Sequence, residues 1–378
     1  MTPRDRYREA LTFGNPDKIP FSPGGPREKT RARWHSEGLP EGMNHMDAIF
    51  DILGFRPEEG KPVTQPGVGF AMIPTFDEEV LEHKNGHYIV RDWMGAITEI
   101  SDEYDLTYIR SARDFVTRKW HRFPVQNRDD WEQMKTRYDI DAPGRFPDDW
   151  ETRFAGMEKR EGRENTVGIH FNAPFWQMRE WCGFEGLCML MIDDPEFVEE
   201  MAEFWMNFIN ELLVRITAKV ELDRVGMSED MAYKKFSMIS PDMARRFLQP
   251  SYFTWMKTIK ASGCPITDMD SDGYIGELIP IWIEAGINVC DPIEVAAHND
   301  IVEFRQRFGT QIGYTGGIDK RAIAEGGSVI TDELNRVIPP MLKEGGFIPS
   351  CDHGVPFDIS WPNFIDYCRQ LAQHTGWL

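Results

Sequence analysis

Cations are scarce in this chain: 42 Lys and Arg stand against 62 Asp and Glu, a formal net charge of −20 at pH 7. That balance argues against nucleic acid, whose phosphates need Lys and Arg, and against docking on anionic lipid. No apolar run approaches the roughly 18 residues of a membrane span. The opening Met1-Thr2-Pro3-Arg4-Asp5-Arg6-Tyr7 is not followed by an apolar stretch, so no signal peptide is expected. The six cysteines lack the close pairing of a zinc finger and are too sparse for a disulfide scaffold. Reduced thiols in a cytoplasmic protein are the expectation. No Gly-x-Gly-x-x-Gly follows an expected strand, which removes the usual sign of a dinucleotide site. Internal repeats and low-complexity tracts are missing too.

What remains is ample for a core: 41% of 378 residues are hydrophobic. Residues 1 to about 160 are rich in Pro, Trp, Arg and Asp. There the pattern predicts helices over Pro3–Leu11, Met46–Leu53 and Arg128–Arg137, the last entered through Asn127. A short strand is expected over Ile19–Phe21, and a β-hairpin between Glu79 and Ile100 turning at Asn85-Gly86. From about residue 165 short apolar runs alternate with long amphipathic stretches. Strands are expected at Thr166–Ile169, Arg224–Met227, Ile266–Met269, Ile287–Cys290, Gln311–Thr315 and Phe347–Pro349. Between them the spacing predicts helices, among them Pro195–Val220 with a core stripe of Phe197, Met201, Phe204, Trp205, Phe208 and Leu212. A single helix is expected from Ser240-Pro241 to Ala261, and another from Ile275 to Glu284 ended by Gly286. Such alternation implies parallel strands with right-handed crossovers. Seven strands outside the hairpin, with a weak eighth near Leu106–Arg110, suit one α/β domain over residues 1–378: a (β/α)8 (TIM) barrel with N-terminal helical segments and an inserted hairpin.

Barrels of this kind carry their active sites at the C-terminal ends of the strands. Polar residues just after expected strands are therefore the candidates. They are His170; Glu229 and Asp230; Asp268, Asp270 and Asp272; Glu294; Asp319 and Lys320; Cys351 and His353. Carboxylates crowded on one rim repel unless a cation or a proton lies between them. The rim thus points to a divalent metal, a cationic substrate, or carboxyls suited to general-acid work. Blander roles exist for each. Asp272-Gly273 also reads as a turn and helix cap, Glu229 and Asp230 as partners of Lys234 or Lys235, and His170 as a core histidine. Gly24-Gly25-Pro26-Arg27-Glu28-Lys29-Thr30-Arg31 follows the first expected strand, and Arg27 and Arg31 there suit a carboxylate clamp.

Several segments together resemble the uroporphyrinogen decarboxylase-like superfamily, which also holds corrinoid- and coenzyme-M-type methyltransferases. They are Pro174-Phe175-Trp176, Gly183-Phe184-Glu185, Ser228-Glu229-Asp230-Met231-Ala232-Tyr233, Asp270-Ser271-Asp272-Gly273, Gly316-Gly317-Ile318-Asp319-Lys320 and Asp352-His353-Gly354-Val355-Pro356. The resemblance implies a single barrel. Where true uroporphyrinogen decarboxylases carry Arg-Gln-Ala-Gly-Arg, this chain has Gly24-Gly25-Pro26-Arg27-Glu28. The methyltransferase branch binds zinc through a His-x-Cys pair and a later Cys. Alignment by the following helices sets Asp270, Asp272 and His353 at those places, with Cys351 as a fourth candidate. The resemblance therefore implies a divalent metal (zinc first, Mn or Fe as well) that activates a small thiol or hydroxyl acceptor. Methyl transfer from or to a corrinoid on a partner protein is the implied reaction, with Glu229, Asp230 and His170 as catalytic groups. Arg27, Arg31, Glu294 and Lys320 would bind substrate, and a homodimer is compatible. Two other readings are a metal-free decarboxylase of a small carboxylated substrate, with Arg27 and Arg31 as clamp and Asp230 as proton donor, and a non-catalytic ligand-binding barrel.

Overall fold

The computed structural model describes residues 1–57, 64–105, 108–111, 116–153, 159 and 161–378. The hairpin is the start of a four-stranded antiparallel sheet: β1 (Glu79–Lys84), β2 (His87–Arg91), β3 (Ile97–Ser101) and β4 (Lys119–Arg122), paired in that order. Asn85 and Gly86 both take positive φ, 53° and 76°, the left-handed pair that a two-residue hairpin turn requires.

Six further strands form one parallel sheet: β5 (Gly168–Asn172), β6 (Arg224–Ser228), β7 (Ile266–Asp270), β8 (Val289–Asp291), β9 (Gly313–Ile318) and β10 (Phe347–Cys351). They lie side by side in chain order. Helices occupy the crossovers, so the fold is mixed α/β. Each of these six strands was expected within a few residues. Ile19–Phe21 is not a strand. The N–H of Ile19 donates to the Thr375 carbonyl at 3.2 Å, and its own carbonyl accepts from Trp377 Nε1 at 2.8 Å. Pro20 has no N–H to offer a ladder. Tyr108–Ser111 is helical, which corrects the weak strand expected there, while Leu106 and Thr107 lie outside the described residues. Among the described residues the parallel sheet thus has six strands where eight were expected. An isolated parallel bridge joins Thr64 to Val167 beside β5, and another joins Pro26 to Val355 just past β10.

Most expected helices form, and Asn127 and Ser240 cap theirs as expected. Asn127, Asp194, Ser240 and Asp300 each accept a backbone N–H in the first turn of the helix they open. Pro195–Thr217 buries Phe197, Met201, Trp205, Phe208 and Leu212 on one face, with Phe204 packed partly buried beside them. The helix expected from Pro241 to Ala261 is broken at Leu248, because Pro250 cannot donate to the preceding turn. That expected from Ile275 starts only at Ile279 and ends, as read, at Gly286 in the left-handed conformation. Among the described residues no helix is long and apolar enough to cross a membrane. All six cysteines are free thiols.

Register decides which side chains share the inner face of the sheet. Side chains alternate along a strand, and β5, β6 and β7 align His170 with Gly226 and Asp268, and Ser228 with Asp270. Gly226 is required here, since a Cβ at that position would stand 2.5 Å from His170 Nδ1. The other face of the same strands (Val225, Met227, Met269) is fully buried against the helices.

Candidate functional site

The inner face is polar from its floor upward. Arg224 at the start of β6 grips Asp268 through two hydrogen bonds of 2.6 Å, and Asp268 is 2% exposed. This fork consumes the first of the three alternate aspartates, so Asp268 has its cation already.

One turn of pleat higher, three carboxylates meet. Oxygen atoms of Asp230, Asp270 and Asp272 lie within 4.8 Å of one another. Asp270 ends β7 and accepts from Ser228 Oγ at 3.2 Å. Asp230 stands in the loop after β6 with φ 39°, and its carbonyl accepts from Arg179 Nη1 at 2.8 Å. Its Oδ1 accepts the Asp272 N–H at 3.1 Å. Burial, then the charges of Asp230 and Asp272, push Asp270 up to about 7. Burial and Asp272 raise Asp230 as well. Without a cation Asp270 therefore keeps its proton well above the usual carboxylate range, up to about pH 7.

A second set shares Asp272. Its carboxylate, that of Glu294 and the His353 ring also offer atoms within 4.8 Å of one another. His353 Nε2 lies 3.1 Å from Asp272 Oδ2, and Nδ1 lies 3.0 Å from Arg27 Nη2 and 2.6 Å from the Gly354 N–H. A guanidinium only donates, so Nδ1 accepts and the neutral ring carries its proton on Nε2. Asp272 raises the His353 pKa, with burial and Arg27 opposing. Glu294 accepts from Lys320 Nζ at 2.9 Å and from the Gly273 N–H at 3.1 Å. Burial works against the Lys320 charge, but Asp352 and Glu294 together raise its pKa.

Asp270, Asp272 and His353 were expected as one ligand set. Among the described residues Asp270 and His353 fall in separate sets, with Asp272 common to both. Cys351 joins neither. It is buried beneath Gly24 and Val355, and burial pushes its thiol up to about 12. Arg31 lies apart, lining a cavity with Glu28 and His35. Glu229 is fully buried and turned away from the rim. It accepts the N–H groups of Phe175 and Trp176 at 2.9 and 3.1 Å and the hydroxyl of Tyr252, so it caps the helix Pro174–Cys182. His170 lies inside β5, not after it, and reaches the trio indirectly: Nε2 is 2.7 Å from Ser228 Oγ, which donates to Asp270. Ser228, Arg179, Asp352 and Arg224 are the residues that sequence reading passed over. The alternation of β6, which puts 224, 226 and 228 on one face, is the signal that would have found Ser228 and Arg224.

The donors fit a hard divalent cation. Three carboxylates with oxygens this close could close on one ion, and an all-oxygen set suits Mn²⁺ or Mg²⁺ better than Zn²⁺. His353 fits less well as a ligand. Coordination through Nε2 moves the ring proton to Nδ1, where two donors already point.

No protein-family model matches the chain, and no curated protein sequence matches it significantly. Among solved structures it is similar to a methyltransferase from Methanosarcina mazei, with a TM-score of 0.55 and 11% sequence identity. The likeness covers 99% of this chain and 98% of that one, and at this identity it is a likeness of fold.

Proposed function

We propose that the chain is a methyltransferase-like enzyme whose Asp230, Asp270 and Asp272 hold a divalent cation at the rim of an incomplete eight-stranded barrel. The observation that carries this reading is the convergence of three partly buried carboxylates, one of them with a pKa near 7. The two bridges flanking β5 and β10 support the barrel, because they lie where the missing two strands would pair. The methyltransferase fold of the Methanosarcina mazei protein supports the reaction class.

When bound, such a cation supplies Lewis acidity that lowers the pKa of a small thiol or hydroxyl acceptor. The chain's own groups do the rest. His353 Nε2–H donates to Asp272 Oδ2 and fixes that carboxylate from outside the trio. Arg27 fixes His353 in turn, so its part is positioning and not a direct clamp on substrate. Lys320 and Glu294 neutralise each other on the rim and give a substrate both a donor and an acceptor. His170 and Ser228 link Asp270 by hydrogen bonds to an adjoining cavity, a line along which Asp270 can exchange a proton. The methyl group would come from, or pass to, a corrinoid on a partner protein, as the sequence resemblance implies.

Elemental analysis of the purified protein and calorimetric titration with Mn²⁺ test this. We expect about one ion per chain, and affinity at least about tenfold weaker in Asp270→Asn and Asp272→Asn. The proton held near neutrality by Asp270 favours a second reading, a metal-free decarboxylase in which this carboxyl protonates a carbanion. Absence of bound ion, with no thermal stabilisation by Mn²⁺, would decide for that second reading.

A further inference from the structure

A second, larger cavity lies between the antiparallel sheet and the helix Pro174–Cys182. It measures about 980 Å³, a volume that takes an organic ligand. Its composition is unlike that of the chain as a whole. In a protein of net charge −20, its walls carry Arg118, Arg122 and Arg179 with Trp93, Trp120 and Trp176. The acids facing them are Glu180 and Glu185. Burial raises the pKa of Glu180, whose carboxylate already accepts from Trp176 Nε1 at 2.8 Å.

The three guanidiniums are held in different ways. Arg118 lies between two indoles, 5.8 Å from the centre of Trp93 and 5.3 Å from that of Trp120, with Asp92 at 3.8 Å. Arg179 lies 4.9 Å over Trp176 and spends one N–H on the Asp230 carbonyl. A guanidinium has five donors, so most of those on Arg179 stay available. The Arg122 side chain, exposed on β4, makes no hydrogen bond or ion pair among the described residues. Aromatic faces beside fixed guanidiniums are the chemistry that selects a flat, negatively charged molecule, with area from the rings and charge from the arginines.

We propose that this cavity binds a planar organic anion, in the simplest case an aromatic carboxylate, with its ring against the indoles and its charge on the arginines. The cavity shares Trp93, Met94 and Glu180 with the smaller one that contains His170. A ligand there lies on the approach to the His170–Ser228–Asp270 chain, and Arg179 ties its site to the backbone of Asp230. The inference goes beyond the reaction proposed above and holds whether or not the carboxylate trio binds a cation.

Three probes of one shape test it: naphthoate, naphthalenemethanol and naphthylmethylammonium, titrated into the full chain in EDTA with tryptophan fluorescence and calorimetry as readouts. Naphthoate should bind at least about tenfold more tightly than the alcohol, the worth of one charged hydrogen bond, and the ammonium should bind least. Arg122→Glu, an exposed change that leaves the core alone, should weaken naphthoate by about tenfold and the alcohol by less than about twofold. Equal binding of all three probes, binding of none, or indifference of naphthoate to Arg122→Glu would each overturn the proposal.

Discussion

Arg27 Nη2 and His353 Nδ1 meet at 3.0 Å, a cation donating to an imidazole that also faces Asp272. The contact joins the N-terminal segment to the loop after the last strand, and it sets the His353 tautomer. Nitrogen NMR should find the neutral ring protonated on Nε2. Arg27→Met removes an opposing positive charge and should raise the His353 pKa, whereas Asp272→Asn should lower it. The folded pKa already lies above the ordinary 6.5, so this group's stabilisation is full below 6.5 and is lost as pH rises through the folded value. Asp272→Asn should therefore lower the melting temperature more at about pH 5 than at about pH 9. A His353 pKa that falls in Arg27→Met would refute the contact as drawn.

Asp270 gives a different pH signature. Its pKa is raised from 3.8 to about 7, so the folded state binds a proton that the unfolded chain releases near 3.8. In the cation-free protein this stabilisation is complete below 3.8 and is lost as pH climbs to about 7. Asp270→Asn should flatten that part of the curve of melting temperature against pH. Mn²⁺ should bind by displacing the proton, with affinity weakening by up to about tenfold for each pH unit below 7. A pH-independent Mn²⁺ affinity between pH 5 and 8, the range spanning that pKa, would place the ion elsewhere.

Why some of this was legible in sequence and some was not follows from where each residue's partners lie. The short apolar runs ending at Ser228, Asp270 and Cys351 read as strands because their pattern is local. Asp270 and Asp272 stand one and three residues past the expected strand Ile266–Met269, so their place on the rim was readable as well. Ile19–Phe21 has the same local pattern, but its hydrogen bonds go to Thr375 and Trp377 at the far end of the chain. Cys351 looked like a ligand two residues from His353, yet Gly24, from the opposite end of the sequence, closes over it. Glu229 and Asp230 are neighbours with opposite fates. The positive φ of Asp230 turns the chain between them, and nothing in the residue types announces which one turns inward.

Glu229 should behave as a structural group in mutagenesis. Its two oxygens satisfy two backbone N–H groups and the Tyr252 hydroxyl in a region without solvent. Glu229→Ala leaves all three donors unpaired in the core and should cost about 2–4 kcal/mol. Glu229→Gln, which keeps one acceptor, should cost less. Urea denaturation measures both. If Glu229→Ala abolishes turnover at unchanged stability, Glu229 belongs to the reaction and not to the helix cap.

Ser228 is the sharpest test of the route from His170 to the carboxylates. Its hydroxyl accepts from His170 Nε2 at 2.7 Å and donates to Asp270 Oδ2 at 3.2 Å. That donation favours the ionised carboxylate and restrains the upward shift of the Asp270 pKa. Ser228→Ala removes one oxygen from a nearly buried position, so the packing loss is small while the hydrogen-bond loss is complete. The Asp270 pKa should rise by about one pH unit, the equivalent of one hydrogen bond to a charged group. The pH midpoint of Mn²⁺ binding should rise by the same amount, and the melting temperature at about pH 5, where Asp270 is protonated in either protein, should change little. His170→Gln should leave the midpoint nearly in place, because Ser228 can still donate to Asp270. A midpoint that moves equally in both variants would mean that His170, not Ser228, governs the carboxylate.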